Sequence, residues 1–214
     1  MKEWLTLHIE FLVEEPSAEA ALRILVPRIA GDFVTFDVHA HQGKLDLLQS
    51  LPRRLRGYKP WLPDDWRIVV LLDRDADDCV ALKAQLEAMA QSAGFHTPTA
   101  GGRTSPVQVL NRIAIEELEA RFFGDISAIV AAYPGVPANL TARAGYRNPD
   151  TIRGGTWEAL ERELQRAGYH LGGLEKIRAA REIATHMDPS RNQSPSFRVF
   201  QAGLLELIAL RRSE

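Results

Sequence analysis

The chain has 214 residues, and 26 Lys plus Arg against 28 Asp plus Glu leave a formal charge of −2, a near balance that excludes a polybasic protein coating nucleic acid by charge alone. With 45% hydrophobic and 25% charged residues the composition is that of an ordinary globular protein, and the single cysteine, Cys79, excludes an internal disulfide framework and a cysteine-rich zinc site. Purely apolar runs such as Ile68 to Leu72 fall far short of the ~20 residues of a membrane helix, while Glu3, His8 and Glu10 break up the apolar stretch a signal peptide needs, so a cytoplasmic protein with no membrane partner is expected.

Leu5, Leu7, Ile9, Phe11 and Val13 alternate with Thr6, His8 and Glu10, which is the period of a strand, and the pattern stops at Glu14. Pro16 and Ser17 open a helix with Ala18, Ala21, Leu22 and Leu25 at helical spacing and Glu19 in its first turn, where the helix dipole favours an acid. A second strand is predicted from Phe33 to His39. After Gly43, the residues Leu45, Leu48, Leu51 and Leu55 mark a helix that Pro52 is expected to kink. Arg67 to Leu72 is apolar without interruption past its first residue, the pattern of a strand covered on both faces. Cys79, Leu82, Leu86 and Met89 form the next helical stripe, ended by Gly94, and Val107 to Ile115 reads as a fourth strand running into Glu116, Glu117 and Glu119.

Strand alternating with helix implies an α/β fold with a mostly parallel sheet, flanking helices and right-handed crossovers. This domain is expected over residues 1–132. Residues 133–214 begin with turn-rich segments and continue with helical stripes at Trp157, Leu160 and Leu164, at Ile177 and Ile183, and at Phe197, Phe200, Leu204 and Leu207. They predict a helical C-terminal extension packed on the first domain, with Trp157 and Phe200 as core residues. There is no internal repeat.

Acidic residues fall at the predicted strand ends: Glu14 after the first, Asp73, Asp75 and Asp77 after the third, Glu117 and Glu119 after the fourth. In an open α/β sheet the ligand crevice lies at the carboxyl ends of the strands. In an extended segment Asp73 and Asp75 project to one side, roughly 6 to 7 Å apart. Clustered carboxylates without His or Cys are hard oxygen ligands suited to Mg²⁺ or Mn²⁺, ions that assist phosphoryl transfer. A lone Asp-x-Asp is usually a turn or helix cap, and Asp78 suits a cap equally well. The signal is the set of carboxylates at three strand ends.

Basic residues that could meet phosphate form two groups, Lys44, Arg53, Arg54, Arg56 and Lys59, and Arg143, Arg147 and Arg153, mixed with Tyr58, Trp61 and Tyr146. Lys44, Arg53, Arg54 and Arg147 are the nucleic-acid-binding candidates, although a solvated helix face explains the first group as well. Gly43-Lys44 lacks the other residues of a nucleotide-binding loop, so ATP hydrolysis is not expected. His39 and His41 share a strand face but lack a nearby third ligand, which favours a structural role, and Cys79 reads as a small buried apolar side chain.

Val13-Glu14 between strand and helix, Asp73-Arg74-Asp75 after an apolar strand, and Glu117-Leu118-Glu119-Ala120 resemble the toprim-like superfamily, which includes topoisomerases, primases and the nucleases of overcoming-lysogenization-defect type. More closely, and over nearly the whole chain, GKLDLL at Gly43 to Leu48, RIAIEELEA at Arg112 to Ala120, NPDTIRGGTWEAL and RNQSPSF resemble a bacterial toprim-like family of unassigned function whose genes often lie beside those of ABC-type or SMC-like ATPases. The resemblance implies a toprim-like, Rossmann-like fold and a Mg²⁺- or Mn²⁺-dependent nuclease that cleaves or nicks phosphodiesters, DNA before RNA. It further implies an effector of anti-phage defence with an ATPase partner; self-association stays open. It makes Glu14 a general acid or base or a metal ligand, and Asp73 and Asp75 metal ligands. Asp77, Glu119 and Glu19 match further acidic positions. Two departures, Glu15 where a Gly is usual and Arg121 where a Trp is expected, motivate a different expectation: a non-catalytic subunit that binds an ATPase and nucleic acid. A phosphohydrolase with Asp73 as nucleophile is a third, weakened by the missing Thr and Lys pattern.

Overall fold

Alternation along the first strand sorts its side chains between two layers. In β1 (Leu7–Val13), Leu7, Ile9, Phe11 and Val13 face the core beneath α1 (Pro16–Ala30), whereas Leu12 joins the second core under α2 (Lys44–Tyr58) and α3 (Cys79–Ser92). β3 (Trp66–Asp73) gives Val69 and Leu71 to the first core and Ile68, Val70 and Leu72 to the second, so its unbroken apolar run is explained by helices on both faces. With β2 (Val34–Ala40) and β4 (Val109–Ala114) these strands make a four-stranded, all-parallel sheet in the order β2-β1-β3-β4. The architecture is Rossmann-like α/β. The computed structural model describes residues 7–31, 34–98 and 107–211, with the side chains of 210 and 211 excepted; Glu3, Leu5, Thr6 and Phe33, which entered the sequence expectations, lie outside these ranges.

The strand order matters for the site. From β1 the chain moves outward to β2, then returns to the opposite side of β1 for β3 and β4. The direction of winding therefore reverses between β1 and β3, and the crevice outside the carboxyl ends of those two strands is where such sheets bind ligands.

Several local expectations change. α2 buries Leu47, Leu51 and Leu55, while Leu45 is 70% exposed; Leu45 precedes Leu47 by two residues, about 200° around the helix. α2 also continues through Pro52. β4 ends at Ala114, and Glu116 turns the chain with a φ of 63° into two short helices the sequence reading did not anticipate, α4 (Leu118–Phe123) and α5 (Ile126–Ala132). Cys79, at the first position of α3, is half-buried rather than buried.

The chain ends in α6 (Thr156–Arg166), α7 (Lys176–His186) and α8 (Pro195–Arg211). α7 packs along α1, and α8 packs on α1 and β4, so Phe197, Phe200 and Leu204 share one continuous core with Val69 and Leu71 of the sheet. Trp157 is only half-buried, its ring covered by the Lys176 ammonium at 5.4 Å. Arg28 near the end of α1 donates to the carbonyls of Ala184, Thr185 and Met187 at the end of α7, where a cation suits the helix dipole. Among the described residues, no helix is long and apolar enough to cross a membrane.

Candidate functional site

Glu14 follows β1 and Asp73 is the last residue of β3, so the two carboxylates stand side by side at the point where the winding reverses. The Asp73 amide donates to Glu14 Oε2 at 3.1 Å, and the Leu118 amide donates to Asp73 Oδ2 at 3.2 Å. Both residues are buried, 8% and 7% exposed. Burial raises the Glu14 carboxyl, against the lowering effect of the Asp73 amide. Asp73 is raised well above the usual range, first by burial and then by the charges of Glu14 and Glu119, with Arg121 opposing. Two buried acids that repel each other favour a shared proton or a bound cation.

Glu119 enters from the first turn of α4 and is 3% exposed. Its carboxyl is pushed up to about 7, mainly by burial, with Lys176 partly offsetting this. Arg121, two residues on, is fully buried over the Phe200 ring at 4.9 Å, and its charge interacts with Asp73 and Asp150. The residue that departs from the toprim-like pattern is therefore the buried cation behind Asp73. The other departure, Glu15, has φ −139° and ψ 160°, extended backbone that needs no glycine, and its carboxylate lies 3.6 Å from Lys176 Nζ.

Asp75 and Asp77 sit on the exposed loop after β3, where Lys44 Nζ bridges them at 2.8 and 2.7 Å and also donates to the Arg74 carbonyl at 3.0 Å. Lys44 is placed there because Gly43, with φ 101°, starts α2 beside the end of β1 and its amide donates to the Glu14 carbonyl at 3.0 Å. A left-handed turn of this kind favours glycine. Asp75 itself has φ 50°. Asp78 caps α3 by accepting from the Ala81 amide at 2.7 Å.

The remaining sequence candidates lie elsewhere. Glu19 is paired with Arg23 on α1 at 2.8 Å. Arg53 and Arg54 lie nine and ten residues beyond Lys44, about 15 Å along α2 and away from the crevice, with Arg54 next to Tyr58. Arg147 is exposed and lines a separate cavity of about 560 Å³ with Asp125, Asn148 and Arg191. The sequence reading missed Lys176, which carries no local signal because it lies some 160 residues from Glu15; it interacts with Glu119, Glu15, Glu117 and Asp73, and these acids raise its pKa against the lowering effect of burial. Lys176, Arg178 and Arg181 line a groove of about 500 Å³ that opens beside Glu15 and Ser17.

Polar motifs of the C-terminal half hold this arrangement. Glu117 Oε2 accepts from the Thr156 amide and hydroxyl and the Trp157 amide, capping α6. Asp150 accepts from the Ser194 hydroxyl and the Ser196 amide, both at 2.7 Å, and Asn192 donates to the Arg121 carbonyl at 2.8 Å. The NPDT and RNQSPSF segments thus pack behind Arg121.

The donors of the crevice are hard carboxylate oxygens, those of Glu14, Asp73 and Glu119 buried and those of Asp75 and Asp77 exposed with an ammonium already between them; in chemistry the set suits Mg²⁺ or Mn²⁺. Among the described residues no three of these carboxylates bring their ligand atoms within 4.8 Å of one another, whereas His8, Glu10 and Asp37 do. Over residues 13–205 the chain matches the model of a family described as Domain of unknown function (DUF4276). No curated protein and no solved structure matches it.

Proposed function

The chain belongs to the DUF4276 family, and from the carboxylate crevice we propose that it is a metal-dependent, toprim-like nuclease that cleaves or nicks nucleic-acid phosphodiesters, with Glu14, Asp73 and Asp75 at its centre. The observation that carries this is the buried Glu14 and Asp73 pair at the reversal between β1 and β3, both raised in pKa, with Glu119 close enough to raise Asp73 further. Mg²⁺ or Mn²⁺ bound there would neutralise charge developing on the phosphate oxygens. Glu14, raised by burial, holds a proton more readily than an ordinary carboxyl, which suits it to serve as general acid or base. Asp73 and Asp75 would hold the ion, with Glu119 behind Asp73. Asp75 becomes available once Lys44 leaves it, and Lys44 would then face the phosphate. Lys176, Arg178 and Arg181 line the path for a phosphodiester backbone.

DNA is the preferred substrate over RNA, and an ABC- or SMC-type ATPase in an anti-phage system is the proposed partner; both rest on the resemblance of the quoted motifs to toprim-like proteins. The test is plasmid incubated with Mg²⁺ or Mn²⁺. Wild type should nick or linearise it and Asp73→Asn should lose at least ~100-fold in rate; equal cleavage by the two overturns the assignment.

The clamp of Lys44 on Asp75 and Asp77 favours a second reading, a non-catalytic subunit whose scaffold binds an ATPase and nucleic acid. Calorimetric titration with Mg²⁺ and Mn²⁺ in the presence of nucleic acid separates them: no heat of metal binding supports the silent subunit, and binding that Asp73→Asn abolishes supports the nuclease.

A further inference from the structure

At the amino-terminal end of the sheet, side chains from β1 and β2 meet on the face covered by α2. His8, Glu10 and Leu12 of β1 pair in register with Thr35, Asp37 and His39 of β2, and registered partners in parallel strands project to the same face. Sequence reading found no third ligand for His39 because the companions come from a neighbouring strand about 30 residues away. His8, Glu10 and Asp37 bring their ligand atoms within 4.8 Å of one another. His8 Nε2 lies 3.4 Å from Glu10 Oε1 and 3.8 Å from Asp37 Oδ2. Ligands ~2.1 Å from a tetrahedral ion stand roughly 3.4 Å apart.

The surroundings orient this set. His8 Nδ1 is hydrogen-bonded to Thr35 Oγ1 at 2.9 Å, which turns Nε2 toward the carboxylates, and the ring rests on Trp66 at 4.0 Å. His8 Nε2 is itself buried without a hydrogen-bond partner. Glu10, 5% exposed, has its other oxygen held by His39 Nε2 at 2.5 Å and by the Tyr58 hydroxyl at 3.3 Å, leaving Oε1 toward His8. A second partner on the far ring nitrogen or far carboxylate oxygen is what metal ligands characteristically carry. Asp37 is exposed and gives the set an opening to solvent.

We propose that His8 Nε2, Glu10 and Asp37 form a binding site for a first-row divalent cation of the zinc class, supported by Thr35, His39 and Tyr58. An imidazole with two carboxylates selects such an ion over Mg²⁺ and leaves a fourth position open. The site is independent of the crevice: His8 precedes Glu14 by six residues, about 20 Å along the strand.

The full chain, stripped with chelator, would be titrated with Co²⁺ and followed by visible absorption, then with competing Zn²⁺. One equivalent of Co²⁺ should develop an intense four-coordinate ligand-field band that Zn²⁺ abolishes. His8→Gln and Asp37→Asn should each weaken binding at least ~10-fold, and Thr35→Val, which frees the far ring nitrogen, should weaken it by ~10-fold. His186→Gln should leave the titration unchanged, and the intense band of the four-coordinate site is read apart from any Co²⁺ held by the oxygen ligands of the crevice, which absorbs only weakly, so a failed nuclease assay and a failed Co²⁺ titration are separate results. Circular dichroism of the stripped variants checks folding, and exposed Asp37 is the substitution least able to disturb it. Absence of a stoichiometric Co²⁺ complex in wild type, or its survival in folded Asp37→Asn, overturns the proposal.

Discussion

The Glu119 carboxyl, pushed from 4.5 to about 7 because burial strips its hydration and Lys176 restores only part of the loss, makes stability depend on pH in a definite direction. Between those values the folded chain keeps a proton on Glu119 that the unfolded chain has released. The folded state binds more protons, so stability falls as pH rises from 4.5 to about 7 and levels off above it. Glu14 and Asp73 are raised as well and add the same sign. The Glu119 contribution is on the order of 3 kcal/mol. Urea unfolding across pH 5 to 8 should therefore show wild type losing stability, and Glu119→Gln should flatten the slope and be more stable than wild type at pH 8. A wild type that gains stability toward pH 8 contradicts this environment for Glu119.

Among elements, the contrast between two helix starts shows which features are readable from sequence. Asp78 caps α3 through a residue three positions away, a local rule that spacing reveals. The cap of α6 is Glu117, 39 residues upstream, which no window of sequence could pair with Thr156. Its role is structural, since three donors converge on one oxygen at the positive end of the helix. Glu117→Ala should cost about 1 to 2 kcal/mol and lower the Tm, while metal binding at His8, Glu10 and Asp37 stays unchanged. A Tm equal to wild type would remove Glu117 from the cap. The unforeseen helix α4 has the same origin: its short length carries little periodic signal, and it is held by Asp73, which accepts from the amide of its first residue.

For the whole molecule, the sheet and the C-terminal helices depend on one close approach. A Cβ on Gly124 would lie 2.0 Å from Asn192 Oδ1 and 2.8 Å from the backbone nitrogen of Ser194, so the α4 to α5 corner and the segment entering α8 could not both keep their places. Because that segment holds Asp150 and the Arg121 carbonyl, the crevice is braced from behind by the end of the chain. Gly124→Ala should destabilise by about 1 to 3 kcal/mol, and wild type should unfold in a single urea transition seen alike by circular dichroism and tryptophan fluorescence. Two separated transitions would mean that the shared core of Leu7 to Ile208 is not one cooperative unit.

The α/β class and the main strands were legible because periods of two and 3.6 and unbroken apolar runs follow directly from which faces must leave water. The strand-end acids Glu14 and Asp73 were legible too, since a strand's end fixes where its next residue projects. Tertiary structure decided the rest. It set Lys44 between Asp75 and Asp77, drew Glu19 aside to Arg23, separated Arg53, Arg54 and Arg147 from the crevice, and brought Lys176 and Arg121 to it. It also joined His8 and Glu10 to Asp37 across two strands. These are encounters between residues far apart in the chain, governed by strand order, register and helix packing, and one sequence read in local windows holds the partners without stating which of them meet.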